Sequence, residues 1–374
     1  MDDAARRRFL GFLAGAGVVA AVGGGAAFFA RSRGAGDYQA TVENVWRHSD
    51  RFDLPPPAAQ RELVRYATLA ANSHNTQPWR FALSDGAILV SPDLTRRLAS
   101  VDPDNHHLFA SLGCATENLV QAAAAFGLRA NPAFDAAAGA MRLDLEPAPP
   151  ARSPLFEAIP RRQSTRGVFD GRAVPAEHLR LLEAAGSDEG VKVLLFTERK
   201  PIEDILGYLI AGNNAQMDDA AFLAELKSWV RFDYVEALAT DDGLFSLSTG
   251  NPTLPGWLGR LVFSLVVTKD GENKSYAAQL RSSSGVAVFV SDKNEPASWT
   301  AAGRCCQRFA LQATALGIRH CFINQPVEVP AVRGQFATFL GTGGRRPDLV
   351  MRFGYGPELP RSLRRPVDQV LQAG

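Results

Sequence analysis

The sequence predicts a mixed α+β protein made of two related halves, and three observations predict it. Long alanine-rich stretches with helical periodicity stop at glycines such as Gly127 and Gly317. Short apolar runs, among them Val191–Phe196 and Val286–Val290, stand between turn-forming residues and read as strands. Finally, residues recur. Gly113, Ala123, Ala125, Gly127 and Arg129 return as Gly303, Ala313, Ala315, Gly317 and Arg319, each 190 positions later. Arg47-x-Ser49-x-Arg51 returns as Arg162-x-Ser164-x-Arg166, 115 positions later.

Residues 1–36 read as an address. Arg6, Arg7 and Arg8 lead into Phe9-Leu10 and an uncharged run of 22 residues to Ala30. At ~1.5 Å per helical residue such a run can cross a bilayer core of ~30 Å. Glycines dilute it, however, and a weakly hydrophobic core behind Arg-Arg-x-Phe-Leu reads as a twin-arginine signal for export to the periplasm or cell envelope. An ordinary membrane anchor or general secretory signal is the plainer alternative. Ala27-Phe28-Phe29-Ala30 sets bulky rings where cleavage wants small residues, so a membrane tether stays open.

The first half is expected over 37–150. After Pro55-Pro56-Pro57, Ala58–Ala71 forms an amphipathic helix, followed by a loop over Asn72–Thr76. Strands Trp79–Leu83 and Ala87–Val90 flank the turn Ser84-Asp85-Gly86. A long helix covers Leu108–Gly127, then a strand Met141–Leu145 and a Pro/Ala-rich linker. The second half, 151–374, repeats this order: helix Pro175–Ala185, the strands named above, helix Trp299–Gly317 and strand Leu349–Phe353. An aromatic-rich insert at 213–275, with Trp229, Phe232, Tyr234, Phe245 and Trp257, does not fit the repeat and is expected to act as a lid or interface.

Composition narrows the function. Forty Lys and Arg against 39 Asp and Glu give a net charge of +1, which argues against a nucleic-acid binder. Four cysteines in 374 residues are no disulfide framework, and none stands in Cys-x-x-Cys spacing. No P-loop or Gly-x-Gly-x-x-Gly pattern occurs. His106 and His107, beside Asp102, Asp104 and Asn105, invite a metal reading. Adjacent helical side chains diverge, so they are taken as surface histidines at a helix N-terminus and no metal site is expected.

Two stretches carry chemistry. Arg161-Arg162-Gln163-Ser164-Thr165-Arg166 offers forked, permanently charged donors and a hydroxyl, the groups a phosphate dianion needs. Ala71-Asn72-Ser73-His74-Asn75-Thr76-Gln77-Pro78-Trp79 lies between a helix and a strand and supplies amide donors suited to a heteroaromatic edge. Together they resemble the nitroreductase family of FMN enzymes. The likeness extends through Gly303–Gly317, Cys321–Pro326, Phe353-Gly354-Tyr355-Gly356 and Arg364-Arg365-Pro366. The fused arrangement, with Asp242-Gly243-Leu244 at its centre, is most similar to the Acg-type branch.

The resemblance implies a nitroreductase-like fold, a central mainly antiparallel sheet flanked by helices, with the halves forming a pseudo-dimer in one chain. The quaternary state is then a monomer or a homodimer. It implies FMN as cofactor, hydride transfer through flavin N5 to a small acceptor, NAD(P)H as electron donor, and an aromatic or quinone-like acceptor; a flavin-sequestering protein with little turnover is the alternative. Arg162, Ser164 and Arg166 are implied to hold the flavin phosphate, with Arg364 or Arg365 as a further cationic arm. Ser73 and Asn75 are implied to reach the ring or ribityl chain from the other half, and Asn72, Gln77 and Gln163 complete the implied cofactor-binding set. Ile323 and Asn324 lie in the turn whose backbone amide faces flavin N5 in the family. Since Asp50 sits inside the first Arg-x-Ser-x-Arg and Asp188-Glu189-Gly190 stands where a second Gln-Pro-Trp loop would fall, one flavin pocket per chain is expected.

Overall fold

The computed structural model describes residues 34–372; the expected export signal falls on residues 1–33, outside them, apart from its last three positions. Among the described residues no helix is long and apolar enough to cross a membrane.

The first half opens with α1 (Ala35–Val45) and α2 (Pro56–Thr68). Proline at the first position of α2 costs nothing, because that N–H has no helical partner. Leu63, Val64, Tyr66 and Ala67 form its buried face. Strands β1 (Trp79–Ser84) and β2 (Ala87–Pro92) form a hairpin in which Gly86, at φ 69°, takes the left-handed position. Helix α3 (His106–Ala125) ends ahead of Gly127 at φ 70°, and β3 (Leu128–Asp135) and β4 (Ala140–Pro147) complete an antiparallel sheet in the order β1-β2-β4-β3. The sequence reading missed β3, whose Pro132 argues against a strand. It is an edge strand, bonded only to β4, where a missing N–H need not cost a ladder bond.

Helices α4 (Pro154–Ala158) and α5 (Ala176–Gly186) lead to β5 (Val191–Phe196), then α6 (Arg199–Asp218). A side excursion follows, containing α7 (Ala220–Trp229), β6 (Val230–Arg231), α8 (Tyr234–Thr240), β7 (Leu244–Phe245) and α9 (Gly256–Val266). The chain returns through α10 (Lys269–Arg281) to β8 (Gly285–Ser291), α11 (Pro296–Ala315), β9 (Arg319–Phe322), α12 (Gln325–Glu328), α13 (Pro330–Phe339), β10 (Pro347–Gly354) and α14 (Val367–Val370). The second sheet runs β5-β8-β10-β9 and is antiparallel throughout. Strands β8 and β10 are central and wholly buried. Ala287 and Phe289 face the core under α11, whereas Val286, Val288 and Val290 face a second core with α6 and α13.

The two sheets share one topology, in which the first strand pairs with the second, the second with the fourth and the fourth with the third. A tight turn joins the first two strands in one half. In the other, the whole stretch from α6 to α10 does so. The insert bounds 213 and 275 therefore fall inside α6 and α10; the excursion proper is 219–268. The expected boundary at 374 is also corrected. Leu371 bridges to Phe81, the Gln372 amide donates to the Phe81 carbonyl at 2.8 Å, and Val370 joins the first half's core. Phe156, Ala158 and Ile159 join that core too.

Helices α3 and α11 hold the halves together, and their crossing shows the internal symmetry. A Cβ on Gly113 would lie 2.0 Å from the Thr300 carbonyl oxygen, and one on Gly303 would lie 2.0 Å from that of Ala110. Both relations obey the same 190-residue offset, so each helix needs glycine where the other's backbone crosses.

Candidate functional site

A cleft opens where the halves and the excursion meet. It is lined by Arg162, Ser164, Arg166, Arg361, Arg364 and Trp46, with Ala71, Asn72, Asn75, Gln163, Leu244, Ser248, Phe322, Pro360 and Ser362. It holds about 600 Å³ counting its open side, and among the described residues no carboxylate lines it.

The cationic wall begins at the end of α4. A turn over Ile159–Arg161 releases the chain into extended backbone at Arg162, and Ser164 pairs with His320 of β9 as a single bridge. Arg352, fully buried on β10, holds the segment from behind: its Nη2 donates to the carbonyls of Thr165 at 3.1 Å and Gly167 at 2.7 Å, on either side of Arg166. Arg162 is 3% exposed. Its Nη2 donates to the Leu69 carbonyl at 3.0 Å, and its Nε and Nη1 have no partner. Burial lowers the Arg162 guanidinium to about 10. Burial, then the charge of Arg162, lowers Arg364 to about 9. Both stay cationic at neutral pH, crowded and without a counter-ion, so an anion in the cleft would relieve them.

The opposite wall is the loop after α2. His74, Asn75 and Gln77 all have positive φ, at 49°, 54° and 52°. Such backbone costs of order 1 kcal/mol per residue and survives only where surroundings over-determine it. They do so here. Asn72 Oδ1 accepts from the Gln77 amide at 2.8 Å. Asn75 Nδ2 donates to the carbonyls of Gly243 and Leu363, and its Oδ1 accepts from Arg364 Nη1 at 2.8 Å. Gln77 Nε2 donates to the Asp241 carbonyl and its Oε1 accepts from the Arg365 amide. The loop is thus the hub joining first half, excursion and C-terminal tail. Burial, then Arg166 and His107, lowers the His74 imidazole to about 4.

The structure therefore gathers Asn72, Asn75, Arg162, Gln163, Ser164, Arg166 and Arg364 at one cleft and leaves the other expected site residues outside it. The expectation that Asn75 donates to a ring is corrected, since both N–H groups of its side-chain amide are spent on the protein, and the Gln77 side chain likewise bonds to the protein and holds the turn. Ser73 does not line the cleft and caps the turn through its carbonyl, which accepts from Thr76. Ile323 is buried in the core with its amide donated to Val350, and Asn324 accepts from the Val350 amide through Oδ1. Arg365 reaches the Gln369 carbonyl, 3.9 Å from Asp93 at its nearest, outside the cleft. Arg364 lines the cleft with donors turned to Thr68, Leu363 and Asn75.

Sequence reasoning missed Arg361, Trp46 and Arg352. The Arg361 and Arg364 guanidiniums lie 5.0 and 4.8 Å from the Trp46 ring centroid, and Trp46 donates to the Ser362 carbonyl. The signal for Arg361 was its place three residues before Arg364, one helical turn away in sequence and on the same tail. Excursion residues Leu244 and Ser248 close one side, whereas α9 turns Trp257, Leu261 and Leu265 outward, 71%, 69% and 77% exposed. The part of the expected lid that reaches the cleft is thus the short segment after Gly243. The four cysteines are buried free thiols, and burial raises Cys114 to about 12.

No family model matches the chain. Among curated proteins it is 25% identical over 333 residues to "Putative NAD(P)H nitroreductase Rv3131" of Mycobacterium tuberculosis, covering 85% of this chain and 92% of that protein. It is 25% identical over 335 residues to "Putative NAD(P)H nitroreductase acg" of the same organism, covering 83% and 94%. Solved structures with some likeness include a nitroreductase with bound FMN from Desulfitobacterium hafniense, at TM-score 0.38 and 14% identity, covering 60% of this chain and 100% of that one. Another is the FMN-dependent nitroreductase NfnB of Mycobacterium smegmatis in complex with NADPH, at TM-score 0.36 and 16% identity, covering 56% and 94%. Along most of both sequences, then, the chain is similar to proteins named putative NAD(P)H nitroreductases, acg among them.

Proposed function

We propose that the cleft binds one FMN per chain and that the protein is an FMN-dependent oxidoreductase of nitroreductase type, taking reducing equivalents from NAD(P)H. The observation that carries this reading is Arg162, a buried guanidinium that lines the cleft beside Ser164, Arg166 and Arg361 and keeps two nitrogens without a hydrogen-bond partner among the described residues, none of which puts an acid in the lining. A phosphate dianion satisfies that donor set; a neutral ligand does not. Bound FMN supplies hydride and electron transfer at its ring system. The chain binds and orients it: Arg162, Ser164 and Arg166 take the phosphate, Arg361, whose Nη1 and Nη2 donate to the Arg162 and Arg161 carbonyls, adds positive charge to that wall, and Trp46 and Phe322 line the cleft. Arg364 stays with the loop, keeping its positive charge beside the cleft. The relatives' names support NADH or NADPH as the donor.

The excursion favours a second reading, because its segment from Leu244 to Ser248 lines one side of the cleft. A flavin held under that segment would be sequestered from a donor. Anaerobic mixing of the FMN-loaded full chain with NADPH and with NADH separates the two. Rapid bleaching of the flavin absorbance supports the oxidoreductase; bleaching by dithionite alone supports storage; a protein that retains no flavin excludes both. We also propose twin-arginine export from Arg6-Arg7-Arg8-Phe9-Leu10. Loss of envelope localisation of the full chain on replacing Arg6 and Arg7 by lysine supports it, and unchanged localisation contradicts it.

A further inference from the structure

A second cluster of chemistry-bearing side chains lies at the start of α3. Asp102, His106 and His107 each place one ligating atom within 4.8 Å of the others, and all are at most 5% exposed. The expectation of surface histidines is overturned, because β10 and α12 of the other half cover this end of the helix.

Hydrogen bonds decide which ring nitrogens remain free. His107 Nε2 lies 3.2 Å from the Asp348 carbonyl oxygen, which can only accept, so that nitrogen carries the proton. His106 Nε2 lies 2.8 Å from Asp348 Oδ1. A neutral imidazole that donates from one nitrogen presents a lone pair at the other, and Nδ1 of both rings is buried with no hydrogen-bond partner. Histidines oriented by a carboxylate and a backbone carbonyl while the second nitrogen faces other ligands are the arrangement found behind metal-bound imidazoles.

Oxygen donors are at hand. Asp102 accepts the amides of His107 at 3.0 Å and Leu108 at 2.8 Å, one per oxygen, leaving lone pairs on both. Glu328 Oε1 lies 3.7 Å from His107 Nδ1. Asp102, His107 and Glu328 border a cavity of about 250 Å³ lined also by Asp104, Arg333 and Arg346, with His106 behind it, and Arg346 is paired with Asp104. Asp102, Asp104 and Glu328 thus line the cavity together with two guanidiniums.

We propose that Asp102, His106 and His107, with Glu328 as fourth donor, bind a divalent first-row metal ion, zinc by ligand type. The ion ties α3 of the first half to α12 of the second, and Asp348 positions both rings. None of these residues lines the FMN cleft, so the site stands apart from the flavin reading.

The test is zinc and cobalt(II) binding by the purified full chain after chelator treatment, by elemental analysis after desalting and by cobalt d–d absorption. The expected result is one ion per chain. In His106→Gln, which keeps an N–H for Asp348 without the ring nitrogen, and in Asp102→Asn, affinity falls by at least ~10-fold, the loss seen even for outer partners of metal sites. A wild-type chain that binds no metal overturns the proposal, as does binding undiminished in both variants. Should the variants not fold, anomalous diffraction of the zinc-soaked wild type decides: a peak among Asp102, His106 and His107 supports the site, and a peak elsewhere or none refutes it.

Discussion

The chain carries Arg-x-Ser-x-Arg twice, and the two copies end differently. In the first, the Arg47 guanidinium pairs with Asp50 at 3.1 Å, Arg51 with Asp53 at 3.0 Å, and the Ser49 hydroxyl donates to the Arg51 carbonyl. Every group is spent within the segment, at the surface. In the second, Arg162 is buried with two nitrogens unpaired, and Arg352 braces the backbone around Arg166 from the strand behind. The same residues in the same spacing are left with unspent donors only where no local acid takes their charge and a scaffold holds them dry. Elsewhere the halves remain equal, as at the crossing of Gly113 and Gly303.

The equality breaks most visibly at those glycines. Gly113→Ala and Gly303→Ala each drive a methyl into a backbone carbonyl that cannot rotate away, and each is expected to cost more than ~2 kcal/mol in a denaturant titration. A large cost in one and none in the other would mean that the halves do not share the crossing. The next effect is on the cradle. Arg162→Met is expected to weaken FMN binding by about 30- to 150-fold, the loss of hydrogen bonds to a charged group at ~2–3 kcal/mol. Stability should hold or rise, since an unpaired buried cation is removed. Falling stability with unchanged flavin affinity would make Arg162 structural.

The loop that faces the cradle gives a pH effect. The folded His74 titrates near 4 and the unfolded one near 6.5. Its contribution is therefore fully present above 6.5 and lost as pH falls towards 4, because the unfolded chain takes up the proton first. His74→Asn, which tolerates the left-handed backbone, is expected to lose less stability over that window, by about 1–3 kcal/mol. Equal acid sensitivity in both proteins would contradict the assignment. The smallest effect tests the silent copy. Asp50→Asn with Asp53→Asn breaks exposed ion pairs, is expected to change stability by less than ~0.5 kcal/mol, and should create no second flavin site, because Asp188-Glu189-Gly190 stands where a second Gln-Pro-Trp loop would fall.

The features legible in the sequence were local. Helices α2, α3, α5 and α11 and strands β1, β2, β4, β5, β8 and β10 followed from periodicity and glycine stops, whereas the other elements were not read; the repeat was visible because both helices of the crossing need glycine and alanine at matching places. Arg162, Ser164 and Arg166 were legible as a charge cluster without acids. Less legible was anything set by distant partners. Asn75 and Gln77 carry ligand chemistry in sequence, yet Gly243, Leu363 and Asp241 consume it. His106 and His107 read as surface residues, because nothing nearby in sequence announces that Asp348 will cover them. Arg361 and Trp46 lie 315 positions apart and meet only in the fold.

The central claim is a single flavin cradle per chain, supplied by unequal copies of an equal segment. Loading the full chain with FMN, desalting, and measuring flavin released on denaturation against protein tests it directly. The account predicts one FMN per chain, lost in Arg162→Met. Two per chain, or one that survives that substitution, would contradict it.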